Sequence, residues 1–348
     1  MKMRKLYLAA VMGLAMSLTV SAQEVVYEDN FNTDTSGNYS VLQLDRPDTG
    51  MDNEARFAYD YSVDVDGIGD GIPPAPNSTD GDTIALWMSA NFMFENNAGS
   101  FLNVYTNQEF SGNYQVFVDV FGRVNADAAG STNQNLVGIN HSGEKLVSLG
   151  QGTFGFEEAV DDTDGYFWSA APDLGWGSFD YALLEGGPTE DGTDNSVCGT
   201  WFIETPTQDC AVPGDGEDDG VPRPYNELFS LIYFFNKSGG SYTGASANHW
   251  TELRMDFIDG VVTVYLKSEI TEEIDFINSD FPWVQTTDDG FIKVVEYDDA
   301  DDTYPSGKIM FGYEDTFDSR FTSTQFGLYD NLKVISLGGS DVDSWSVY

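Results

Sequence analysis

Histidine, cysteine and positive charge are the scarce resources of this chain. Two His, two Cys and 15 Lys and Arg are spread over 348 residues, against 58 Asp and Glu and a formal net charge of −43. Two histidines cannot build a multi-histidine metal centre, and two cysteines cannot build a zinc or iron–sulfur cluster. A field this negative repels phosphate backbones and anionic lipid, which argues against nucleic-acid and membrane-surface partners. What the chain has in abundance is glycine (36) and aromatic side chains (24 Phe, 18 Tyr, 7 Trp), within an apolar content of 41%. Such a composition fills a large core, so a disordered chain is not expected.

The first 22 residues read as a signal peptide. Lys2, Arg4 and Lys5 form a positive start, Leu6 to Val20 is a short apolar run, and Val20-Ser21-Ala22 is a small-residue cleavage site before Gln23. Removing 1–22 takes away three basic and no acidic residues, leaving 12 basic against 58 acidic, a net −46. No later apolar segment is long enough to span a bilayer. The expectation is a soluble protein that is secreted, or held at the cell surface or in the periplasm. Cys198 and Cys210 fit that setting as one disulfide closing a Pro/Asp-rich loop. Closing a loop of that size stabilises by roughly 3 kcal/mol in the chain-entropy account.

Downstream, short alternating segments are punctuated by Gly, Asn and Asp, the pattern of half-buried strands. In Asn113–Val120, Tyr114, Val116, Val118 and Val120 share one face, with Gln115, Phe117 and Asp119 opposite. Asp82–Met88 sets Ile84, Leu86 and Met88 against Ala85 and Trp87. Leu253, Met255 and Phe257 run into Asp259-Gly260, and Val262, Val264 and Leu266 leave it. Asp-Gly between alternating runs signals a hairpin, because a type I′ turn needs positive φ at both central positions. Lys308–Tyr313 and Gln325–Leu337 repeat the alternation, whereas Glu227–Phe235 reads equally as buried strand or short helix. These features predict an all-β fold, a two-sheet antiparallel jelly-roll sandwich with long loop insertions. One domain is expected over 24–337, followed by a short tail, 338–348.

His249-Trp250-Thr251-Glu252-Leu253, with Asp259-Gly260-Val261-Val262-Thr263-Val264-Tyr265, resembles a hairpin of concanavalin A-like, laminin-G-like jelly rolls. Gly307–Tyr313 and Phe326–Val334 are similar to the closing strands of that family. The resemblance implies that the last strand pairs with the first, here Glu28-Asp29-Asn30-Phe31. Tyr59–Ser62, Gly71–Asn77, Gly138–Gly143 and Asp164–Phe167 also resemble segments of exported bacterial proteins of unknown function. A fold that hosts lectins, glycosidases, lyases and scaffolds does not by itself assign an activity.

Catalysis is not expected. Glu273-Ile274-Asp275-Phe276-Ile277-Asn278 resembles the E-x-D-x-x-E strand of laminarinase-like glycoside hydrolases, but Asn278 stands where the second glutamate should be. Retaining hydrolysis needs two carboxyl groups, and one is missing. Thr251-Glu252-Leu253-Arg254 resembles a jelly-roll alginate-lyase strand without the partner strands of that family. His141 and His249 lack a nucleophile-elbow context.

Binding is the positive expectation. Tyr166, Trp168, Trp176 and Tyr181 flank Asp173 and Asp180 in a Gly-rich segment. Rings beside carboxylates suit a neutral glycan, whose C–H face stacks while its hydroxyls donate hydrogen bonds. The alternative, weighed above it, is that these rings fill the core. Calcium is the one cofactor considered, since it takes oxygen ligands. Asp64, Asp66 and Asp70 superficially resemble a calcium loop, although Ile68 breaks the EF-hand register. Asp215–Asp219 and Asp298–Asp302 are further acidic turns. The plain alternative for each cluster is a solvated acidic surface. The function expected is therefore a non-catalytic binding or surface module, glycan-binding and calcium-stabilised; a self-assembling matrix protein is the second expectation.

Overall fold

The alternation in Asn113–Val120 becomes a strand with two differently buried faces. In the computed structural model, Tyr114, Val116, Val118 and Val120 pack into the main apolar cluster, while Gln115, Phe117 and Asp119 point to the other side of the sheet. The structure describes residues 23–46, 50–62, 71–91, 99–123, 133–148, 163–170, 181–186, 196–199, 248–268, 286–299, 303–315 and 325–338.

Seventeen strands are defined among these residues. The first six are β1 (Glu24–Asp29), β2 (Tyr39–Gln43), β3 (Asp45–Arg46), β4 (Gly50–Met51), β5 (Asn53–Asp60) and β6 (Ile84–Ala90). Then come β7 (Ser100–Ser111), β8 (Tyr114–Arg123), β9 (Asn133–His141), β10 (Tyr166–Ala170), β11 (Tyr181–Glu185) and β12 (Ser196–Gly199). The last five are β13 (Trp250–Ile258), β14 (Val261–Lys267), β15 (Ile292–Asp298), β16 (Ser306–Asp315) and β17 (Phe326–Ser336). Only two single 3₁₀ turns, Ser36–Asn38 and Thr79–Gly81, interrupt this all-β pattern among the described residues.

Two antiparallel sheets form the jelly-roll sandwich. One has the order β15-β14-β13-β8-β17-β6-β5, with β1 also paired to β17; the other runs β12-β11-β10-β9-β16-β7-β2. As the family resemblance implied, the first strand pairs with the last, Glu28 opposite Lys333 and Asp29 opposite Leu332. The Asp259-Gly260 hairpin joins β13 to β14, with φ of 52° and 83° at its two central residues.

Apolar side chains occupy three levels. The main cluster lies between the sheets and includes Leu86, Val116, Tyr166, Trp168, Leu253, Phe311 and Tyr329. A second, on the outer face of the eight-stranded sheet, joins Tyr61, Ala75, Trp87, Phe121, Trp250 and Phe326. A third, on the outer face of the seven-stranded sheet, joins Tyr105, Leu136, Val147, Phe167 and Met310. Both outer faces are thus partly roofed by loops, which explains the aromatic content better than one core would. Each such ring contributes about 1.5–3 kcal/mol when removed from water.

Candidate functional site

The open part of the eight-stranded sheet's outer face carries a groove of about 750 Å³. Its floor is set by strand register. Asp330 on β17 stands opposite Asp119 on β8, Asp119 opposite Glu252 on β13, and Glu252 opposite Lys267 on β14. Three acidic residues and one lysine therefore form a row across four neighbouring strands. Lys333, Phe117, Arg254, Tyr265 and Lys293 form a parallel row by the same pairing. There the charges alternate with rings: Lys333 Nζ lies 5.0 Å from the Phe117 centroid, and Arg254 Cζ lies 4.5 Å from that of Tyr265. Cations over ring faces are held by the ring quadrupole.

A loop supplies the groove's amides. Asn77 donates its backbone N–H to Asp119 Oδ2 (3.0 Å) and its side-chain N–H to both Asp119 Oδ1 (2.8 Å) and Glu252 Oε2 (3.0 Å). Asn331 donates to Asp119 Oδ2 at 2.9 Å. It can do so because β17 bulges between Asp330 and Lys333, with Asn331 at φ 54°. A bulge that re-aims a side chain beside a site is a recurring device. Lys267 Nζ holds Glu252 Oε1 at 3.0 Å.

Burial raises the Asp119 carboxyl to about 6, against the lowering effect of its Asn77 and Asn331 hydrogen bonds. Burial likewise raises Asp330 to about 8, and the neighbouring Asp119 and Asp82 charges push the same way. Asp330 therefore keeps its proton to a higher pH than Asp119. Both Asp119 oxygens are occupied by N–H donors, so Asp119 acts as an anchor for Asn77 and Asn331. The rest of the groove offers acceptors and donors in close alternation, including Asp29, Asn38, Thr79 and Asp289.

The expected glycan platform is corrected in part. Tyr166 and Trp168 lie inside the sandwich, 0% and 3% exposed. Tyr166 donates its hydroxyl to Asp299 and stacks on Phe257. The cavity beside Trp168 holds only about 20 Å³, room for one water and not for a sugar. Alternation along β10 turns both rings inward, opposite Ile139 and Val137 of β9. Asp173, Trp176 and Asp180 lie outside the described residues, and Tyr181 is placed only as the first residue of β11.

Asp64, Asp66 and Asp70 also fall outside them, as do Glu273, Asp275, Asn278 and Cys210, while Cys198 lies on β12. Among the described residues no group of three or more His, Cys, Asp or Glu side chains is arranged to hold a metal ion. Asn32 Oδ1 and Asp82 Oδ1 are buried oxygens without a hydrogen-bond partner. Two such atoms fall short of the six to eight oxygens that calcium takes.

His141 is fully buried, its Nδ1 3.1 Å from Asp164 Oδ1. It packs against Tyr105 and Phe167 on the outer side of the seven-stranded sheet. The Ser142 N–H donates to Asp164 Oδ2, so the pair anchors the start of the loop that roofs this face. Gly138 makes room for the imidazole: a Cβ there would stand 2.1 Å from His141 Nε2.

A comparison with protein-family models finds no match, and neither does one with curated proteins. Among solved structures, the chain is similar to a Bacillus subtilis protein of unknown function with a galectin-like fold. That match has TM-score 0.41 and 9% identity, covering 89% of this chain and 94% of that one. Lectin I-B4 from Griffonia simplicifolia follows at TM-score 0.40 and 9% identity, covering 90% and 98%. The calcium- and mannose-bound exoplasmic domain of VIP36 stands at 0.39 and 10%, covering 74% and 81%.

Proposed function

We propose that the protein is an exported, non-catalytic carbohydrate-binding module that takes a neutral glycan in the groove over Asp119, Glu252 and Lys267. The observation that carries this reading is the Asn77 amide shared between Asp119 and Glu252 at the groove floor. The link fixes Glu252 beside the Lys267 ammonium, and the spare lone pairs of the one next to the spare hydrogens of the other match the hydroxyl pairs of a sugar ring, which donate and accept at once. Catalysis is not supported by the same geometry. Asp119 is fully engaged as an acceptor, and Glu252 is tied to Asn77 and Lys267, so neither is free to protonate a leaving group.

Calcium enters the proposal only at Asp64, Asp66 and Asp70, whose oxygen donors are of the type that calcium takes. Asp173, Trp176, Asp180 and Tyr181 enter the proposal as further glycan contacts, tested in the same assay by Trp176→Ala. The test is a neutral and acidic glycan array followed by titration calorimetry on the best ligand. Neutral glycans should bind, and Asn77→Ala and Glu252→Gln should each weaken binding about tenfold, roughly 1.4 kcal/mol. Binding confined to anionic glycans, or unaffected by both substitutions, would sink the assignment.

A further inference from the structure

Gly71 to Asp82 lies across the outer face of the eight-stranded sheet and hides rings that the groove would otherwise reach. Trp250 donates its indole N–H to the Pro73 carbonyl at 2.8 Å, and the Ala75 N–H donates to the Tyr61 hydroxyl at 3.1 Å. Ile72 and Ala75 are the apolar side chains it sets on the outer-face cluster. Beneath them Trp250 stands 5.3 Å from Phe121 and 5.6 Å from Tyr61, centroid to centroid. The far end of the segment is held almost wholly by carboxylates. Asn77 is fixed by Asp119, Ser78 donates to Asp330 Oδ2 at 3.2 Å, and Asp82 accepts from Asn32 at 2.9 Å.

We propose that residues 71–82 are a proton-held strap, closed while Asp330 beneath it is protonated and lifted when that proton leaves, baring the Trp250 and Phe121 rings as an extension of the groove. The extension, a ring surface for the C–H face of a longer sugar chain, rests on the glycan reading above; the strap does not.

The charged surroundings decide the direction. Asp330 faces Ser78 and Asp82 from the strap and Asp119 from β8. Asp119 faces Glu252 from β13, itself held by Lys267 from β14. Arg56 of β5 lies over Trp87 and is tied to Glu54. Among the described residues no Lys or Arg forms an ion pair with Asp330. Burial raises its carboxyl to about 8, and loss of its proton adds a negative charge beside Asp119, which holds Asn77, and beside Asp82 of the strap itself. Like charges gathered under the strap disfavour the closed arrangement.

Hydrogen exchange of the peptide spanning the strap, corrected for the chemical exchange rate, tests this on the intact chain. Protection should fall by up to about tenfold for each pH unit on the approach to the Asp330 midpoint from below, where opening releases a proton, and level off above it in the wild type. It should stay flat in Asp330→Asn, which keeps the shape and cannot ionise. Protection that is flat in the wild type, or that falls equally in Asp330→Asn, overturns the strap. Titration with a disaccharide and a hexasaccharide of one neutral glycan tests the extension. Preference for the longer chain should grow as the strap opens; a preference independent of pH overturns the extension. Absence of all glycan binding beside an opening strap overturns the glycan reading and leaves the strap standing.

Discussion

One amide of Asn77 links Asp119 and Glu252, at 2.8 and 3.0 Å, although Asp119 lies 42 and Glu252 175 residues further along the chain. That link closes a loop onto two neighbouring strands and fixes the polar floor of the groove.

Asp119→Ala should therefore harm more than the groove. It leaves the Asn77 backbone N–H and the Asn331 amide without their acceptor, and an unsatisfied buried donor costs about 1–3 kcal/mol. Asn77→Ala removes side-chain donors while Asp119 keeps Asn331, so a smaller loss of about 1 kcal/mol is expected. Thermal melts of the two variants check the order; equal melting temperatures with the wild type would refute the anchoring role.

Stability should depend on pH with two opposing limbs. Asp119 and Asp330 titrate in the folded state at about 6 and about 8, above their unfolded values. What they contribute is fully present below the unfolded value and is lost as pH rises through those two values. Asp164 runs the other way. Burial pushes it up, but the His141 and Ser142 hydrogen bonds and the His141 charge outweigh burial and hold it low. Its contribution is present above the unfolded value and is lost as pH falls through the depressed one. Denaturant melts across pH should show Asp330→Asn flattening the alkaline decline and Asp164→Asn flattening the acid decline.

Trp168→Ala distinguishes core from platform directly. A ring buried to this degree costs about 3–5 kcal/mol when truncated, so the variant should melt well below the wild type. A platform ring would instead leave stability intact and abolish ligand binding. Chemical denaturation beside glycan titration separates the two outcomes.

Calcium binding at Asp64, Asp66 and Asp70 predicts a rise in melting temperature with added calcium, lost in an Asp64→Asn, Asp66→Asn variant. Stabilisation by a ligand grows as the logarithm of its concentration over its dissociation constant, about 2.7 kcal/mol at a hundredfold excess. A melting temperature unmoved by calcium or by chelator would remove the ion from the proposal.

Sheet faces were legible wherever alternation was strict. Asn113–Val120 already separated the inward Val116 and Val118 from Phe117 and Asp119, two residues of the groove. The Asp259-Gly260 hairpin was legible because positive φ at two successive positions restricts the residue types. Trp168 and Tyr166 show the limit: alternation places rings on a face, but only the second sheet decides whether that face meets water. The floor of the groove was not legible at all. Asp330, Asp119, Glu252 and Lys267 come from four strands and meet through register, which leaves no spacing in the sequence. Asn77 carries no local sign of its partners. Gly138 is clearer in hindsight, a strand glycine whose missing Cβ is the seat of His141.

The strands that close both sheets follow all the other described strands in the chain. β17 lies between β8 on one side and β6 and β1 on the other, and β16 lies between β9 and β7. Until residues beyond Ser306 emerge, each sheet is two separate pieces with open edges, and β1 lacks the strand it pairs with in the finished protein. Joining Glu24 to Ser336 closes nearly the whole chain in one step, an entropically late event. Assembly of this sandwich therefore awaits β16 and β17, and a chain cut before Ser306 would present unpaired strand edges, the surfaces on which such chains aggregate.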